Sequence, residues 1–123
     1  MSSNYNEYTQ AALIGAAIMW PGRCGEAFLS VGPDDWYRPA NAGLAGVVSK
    51  MLRSGQAIDA VSVFGQVQAQ GLSRDWDGVK VFSLTELAIS PESAGEHAKR
   101  LRALSGRRKL LQACQRATQR LES

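Results

Sequence analysis

Apolar residues recur three and four apart in successive stretches of this chain, the spacing of helices. Between Glu7 and Met19, the residues Ala12, Ile14 or Gly15, Ile18 and Met19 fall near one face. That spacing predicts a helix with Asn6 as N-cap and Pro21 as stop. A short helix follows over 23–30. The stretch "VGPDDWY" reads as a turn into a short structured piece, with Trp36 and Tyr37 as packing anchors. Leu44, Val47, Val48 and Leu52 make the stripe of a helix over 41–52, ended by Ser54-Gly55.

The stretch "GQAIDAVSVFG" tests strand against helix. Ala60 beside Val61 and Val63 beside Phe64 break alternation, whereas Ala60, Val63, Phe64 and Val67 keep helical spacing. Asp59 then reads as an N-cap, Ile58 and Val63 as a hydrophobic staple, and Gly71 as the stop of a helix over 60–70. Residues 79–88 read as a helix in which Phe82, Leu84, Leu87 and Ala88 cluster, with "VKVF" competing as a strand. Ser93 and Glu96 have the S-x-x-E spacing of a capping box, and a long helix is expected from Ala94 to about Leu121. Leu110, Cys114, Ala117 and Leu121 step by 4, 3 and 4 along it, and Leu111 joins that apolar seam; Ala98, Leu101 and Leu104 form a similar stripe upstream. Gly106, Arg107 and Arg108 interrupt the pattern, where the helix is expected to bend or change partner. The expected fold is all-α: a compact bundle of about five or six helices ending in a long C-terminal helix, with a globular part over about 7–90 and no repeat.

Composition adds an asymmetry. The chain has 123 residues and a formal charge of +3, which fits one domain. Residues 1–98 hold six Lys/Arg and ten Asp/Glu, net −4; residues 99–123 hold eight Lys/Arg and one Glu, net +7. Such a basic block suits an acidic partner or nucleic acid, or serves as a solvated helix face. Its cations surround the predicted helix, and it has no interleaved aromatics for base stacking. The apolar run 11–20 is about half a bilayer span, and no basic lead-in marks a signal peptide, so a cytoplasmic protein without membrane contact is expected. Cys24 and Cys114 are expected to be reduced, partly buried thiols, and one His with two Cys makes no ordinary zinc site. "GQVQAQGLS" lacks the spacing and the Gly-Lys-Ser/Thr of a phosphate loop. His97 reads as a surface or packing residue and Asp34-Asp35 as turn chemistry. No catalytic residue, cofactor or metal is expected.

"SGQAIDAVSVFGQVQAQG" resembles the "sG-x-x-iD-x-v-t-v-x-x-x-L-x-x-x-G" segment in the N-terminal domain of DnaB-type replicative helicases. Its neighbours agree in order. "AALIGAAIM" resembles the family's first helix with Gly15 on the family glycine, "PDDWYRPANAGLAGVV" its "x-x-DFY" segment, and "FSLTELA" its "yLxeL". "EHAKRLRALSGRRKLL" resembles "xYAxxVrexxxxRxli", with Arg108 on the family arginine. The likeness spans about residues 8–118. Departures are Asn41-Ala42 for the family's "hr", Ala45 for an aromatic, Trp36 for Phe and His97 for Tyr.

The resemblance implies an all-α, non-catalytic domain that forms a collar on the helicase, pairs with its neighbours and docks primase or loading factors. The long helix would be the first of a two-helix hairpin, in a single domain over 1–123 with no motor. Expected partners are a second copy (a dimer or higher oligomer), a replicative helicase, primase or helicase loader; nucleic acid is a secondary partner. The expected interaction residues are Arg107, Arg108, Leu110, Leu111, Cys114, Ala117 and Leu121. Gly15, Trp36, Tyr37, Asp59, Ser93 and Glu96 are expected to be structural. The alternative reading is a nucleic-acid-binding helical protein that uses the basic helix.

Overall fold

A computed structural model describes residues 2–88 and 90–122, with side chains from Asn6 onward. Among the described residues six α-helices carry the fold: α1 (Ser2–Met19), α2 (Pro21–Leu29), α3 (Pro39–Arg53), α4 (Ala60–Ala69), α5 (Gly78–Leu87) and α6 (Ala94–Glu122). Short 3-10 turns at Pro33–Asp35 and Pro91–Ser93 join them. No strand occurs among the described residues, and "VKVF" lies inside α5. No described helix is long and apolar enough to cross a membrane.

α1 is the central element and packs against α2, α3, α4, α5 and α6. It is buried on most sides, through Leu13, Ile14, Ala16, Ala17 and Ile18, rather than along one stripe, and Met19 is exposed. A helix apolar all round belongs inside a bundle. It also starts earlier than Asn6. That residue is no cap; its amide oxygen accepts from the Arg100 guanidinium at 3.2 and 3.3 Å. Gly15 sets the approach of α5. A Cβ there would stand 2.0 Å from the Leu84 carbonyl oxygen, so only a bare backbone lets the two helices meet at this distance.

That contact also fixes which face of α5 turns inward. Val81, Leu84 and Ala88 are buried, while Phe82 and Leu87, expected in the core, are exposed. Asp77 caps α5 by accepting from Lys80 N–H at 2.8 Å. α4 begins as its sequence predicts. Asp59 accepts from Ser62 N–H at 2.7 Å, and Asp59 N–H donates to Ser62 Oγ at 3.0 Å, a reciprocal box that satisfies first-turn donors. Val63 and Val67 then face the core, and Gly71 follows with φ +73°. α3 buries Leu44, Val47, Val48 and Met51, with Leu52 half-buried.

Trp36 is buried and packs on Phe28, ring centroids 5.5 Å apart. Tyr37 is not an anchor of the core: it is 58% exposed. Trp36 has extended backbone, so adjacent side chains point to opposite sides, one in and one out. The start of α6 also differs from expectation. The chain is extended at Ser90, which precedes the 3-10 turn Pro91–Ser93 and makes no side-chain capping bond. Ser93 stands in the 3-10 turn that runs into Ala94, its Oγ 3.1 Å from Ser90 Oγ, and Glu96 lies in the first turn of α6. Cys24 is buried, its thiol 3.5 Å from the Pro91 carbonyl, and burial pushes that thiol up from its ordinary value. Cys114, expected to be partly buried, is exposed.

Candidate protein-interaction site

Of the bend or change of partner expected at Gly106, Arg107 and Arg108, no bend occurs: α6 runs unbroken through them, and its surroundings change there instead. At 29 residues it is about 43 Å long. Its first half is a packed root, with Ala94, Ala98, Leu101 and Ser105 buried against the bundle. From Lys109 to Glu122 every residue is exposed, so about 20 Å of helix stands clear as a tail.

Several polar contacts hold the root to the head. Arg102 donates to Ser30 Oγ, and Lys109 pairs with Asp35 at 3.4 Å. Arg108 reaches the Asp35 carbonyl at 3.5 Å and lies over the Tyr37 ring, 5.2 Å from its centroid. Burial pushes the Asp35 carboxyl up, but donors around it, Ser105, Gly32 and Lys109, outweigh burial and hold it below the usual value. The Gly32 N–H, at 2.8 Å, is the firmest of them, because the fully buried Ser105 Oγ closes no hydrogen bond of ordinary geometry. His97 is half-buried on the root, and desolvation, offset in part by Glu96, lowers its pKa.

With 3.6 residues per turn, the tail's side chains sort into three faces. Leu110, Cys114, Ala117 and Leu121 share one side and form the predicted seam; Leu110 is 67% and Leu121 89% exposed. Leu111 leaves that seam. It continues the stripe of Leu101, Leu104 and Arg108, centred about 130° round the helix. The cations do not all surround the helix either. Lys99, Arg100, Arg107 and Arg108 are scattered, but Arg102, Lys109, Arg116 and Arg120 repeat at 7, 7 and 4 and line one flank.

The Leu101 stripe has a wall opposite it. Tyr37 and the start of α1, at Asn6 and Gln10, complete a groove of about 310 Å³ floored by Leu101, Leu104 and Leu111 and edged by Arg107 and Arg108. Gln10 is fixed there by Asn41, whose side-chain amide donates to it at 3.0 Å inside the core. Sequence reasoning found the two arginines and Leu111 but not the groove. Tyr37 and Asp35 lie more than 70 positions from their partners on α6, and no local pattern signals such a pairing. No group of three His, Cys, Asp or Glu side chains able to hold a metal stands together among the described residues.

A six-helix bundle whose last helix runs out of the globule is the architecture of a helicase N-terminal domain, and the comparisons agree. The sequence model described as "DnaB-like helicase N terminal domain" matches residues 2–103. The chain belongs to that family. The fold is similar to the crystal structure of the N-terminal domain of DnaB helicase from Mycobacterium tuberculosis, with TM-score 0.87 and 20% identity, over 94% of this chain and 85% of that one. No curated protein matches the chain.

Proposed function

We propose that this domain is a non-catalytic protein-interaction module of the DNA replication machinery, and that the seam on its tail is a contact surface for a second copy of the chain. A replicative helicase, primase or loader is the other class of partner this reading admits. The observation that supports it most is the exposure of Leu110 and Leu121 on one side of a helix whose residues are all exposed from Lys109 to Glu122. Covering an aliphatic side chain of that size is worth about 1.5–3 kcal/mol, so a row of them tends to find a partner. Membership in the helicase-domain family supports the replication context.

The test is the double variant Leu110→Asp with Leu121→Asp. Both positions lie on the tail, clear of the core, so the variant is expected to keep its far-UV circular dichroism. Self-association, or capture by a replication partner, is expected to be lost, leaving a chain of 13.3 kDa by light scattering. A variant with wild-type mass and wild-type partner binding would overturn the reading.

The flank of Arg102, Lys109, Arg116 and Arg120 favours a second reading, in which the tail touches nucleic acid. Its signature is an affinity that falls steeply with salt. Arg102 and Lys109 already hold Ser30 and Asp35 on the head, which makes this the weaker of the two.

A further inference from the structure

The groove at the root of α6 and one face of α5 are surfaces the bundle itself leaves uncovered. On α5, Val79 is 77% and Phe82 59% exposed, and Glu86 is exposed one turn further on. These three occupy one side of the helix, opposite the buried Val81, Leu84 and Ala88. Exposed aromatic and β-branched residues in a row are costly in water, and a carboxylate closes the row.

The groove is the complement of that face. Its floor is Leu104 and Leu111 above the buried Leu101, and its edge carries Arg107 and Arg108, with no acidic group in its lining. The charge of the whole chain favours the same contact. Residues 1–98 carry −4 and residues 99–123 carry +7, so the head of one copy attracts the tail root of another, whereas two tails repel.

We infer that the α5 face of a second copy, Val79, Phe82 and Glu86, docks in the groove formed by Tyr37, Leu101, Leu104, Leu111, Arg107 and Arg108. Phe82 fills the apolar floor beside Leu104, and Glu86 meets the arginine edge. The inference rests on the reading of the domain as an interaction module, and it adds a second surface distinct from the Leu110 seam. Arg107 is the cation to test. It makes no hydrogen bond or ion pair among the described residues, whereas Arg108 holds Tyr37 and Asp35.

The experiment is sedimentation equilibrium of the whole chain, with Glu86→Arg, Arg107→Glu and the two combined. Each single reversal sets like charges together and is expected to weaken self-association by about tenfold or more. The combined variant restores opposite charges and is expected to regain it, and Phe82→Ala is expected to weaken association in either background. All positions are exposed, and circular dichroism checks that each variant is folded. Single reversals that leave association unchanged overturn the inference, as does a combined variant that stays dissociated, or a wild-type chain that never associates. The seam variant Leu110→Asp with Leu121→Asp touches neither surface, so the two readings fail separately: loss in that variant with no effect of the reversals removes the groove and keeps the seam, and the converse removes the seam.

Discussion

The two halves of α6 have similar composition and opposite fates. From Ala94 to Arg108 the helix is anchored by Ala98, Leu101 and Ser105 in the core and by the polar contacts of Arg100, Arg102 and Arg108 at its edge. From Lys109 to Glu122 it has the same leucines and arginines, and all are in water. The difference is what lies opposite. The head supplies a wall for the root through α1, α2 and the Pro33–Asp35 turn, and meets the tail only at its start, through Asp35 on Lys109 and the groove at Leu111. Helix pattern therefore says that a face is apolar but not whether the chain itself covers it. Changes at buried positions of the head should cost stability and changes on the exposed tail should cost association, and the variants below test that division.

The largest effect is expected where backbone meets backbone. Gly15→Val would place a side chain inside the Leu84 carbonyl, a contact at 2.0 Å already for Cβ alone. Overpacking of a core costs about 1–3 kcal/mol and sometimes more. Here the obstacle is backbone that cannot rotate away, so the variant is expected to lose its cooperative thermal transition. A sharp transition near the wild-type midpoint would mean that α1 and α5 do not pack as described.

Trp36 and Tyr37 sharpen the comparison with adjacent residues. Trp36→Ala is expected to cost about 3–5 kcal/mol in urea unfolding, as loss of a buried aromatic does. Tyr37→Ala should cost less than about 1 kcal/mol, because the ring is 58% exposed and contributes mainly its contact with Arg108. Equal losses at the two positions would show that Tyr37 is an anchor after all.

How far the fold was legible depended on the range of each interaction. Asp59 was readable because its partner, Ser62, is three residues away and the cap is a local structure. The long last helix was readable for the same reason, although Ser93 stands in the 3-10 turn that leads into it, a turn that begins after the extended Ser90. The inward face of α5 was not readable. Phe82 and Leu84 are equally apolar in sequence, and the choice between them is made by Gly15 on another helix. The candidate site divides the same way. Arg107, Arg108 and the Leu110 seam follow from period alone, while Tyr37, Asp35 and the groove arise from contacts across more than 70 positions.

A smaller effect is expected at the α4 cap. Asp59→Ala removes the acceptor for Ser62 N–H and should lower the thermal midpoint by a few degrees, with no change in association. Asp59→Asn, which keeps an acceptor oxygen, should recover most of the loss. An Asp59→Ala variant that melts with wild type would show that the cap contributes nothing.

The smallest effect is expected at the junction of root and tail, where Asp35 meets Lys109. Asp35 is held below its ordinary pKa in the folded chain, against burial, by its donors. A carboxyl depressed on folding contributes stability that is present above its unfolded value, about 3.9. That contribution is lost as pH falls through the folded value. Near neutral pH the contact is therefore complete, and acidification below about pH 4 should release the Lys109 end of the root before the core gives way. Amide exchange over residues 104–109 should rise at low pH while that of α1 stays protected. Asp35→Asn should produce the same local loosening at neutral pH and abolish its pH dependence. Its global unfolding midpoint should barely move, since the Lys109 side chain is 56% exposed and such pairs contribute little in water. Uniform loosening of α1 and α6 together would place Asp35 in the cooperative core and remove the boundary between the two halves of the helix.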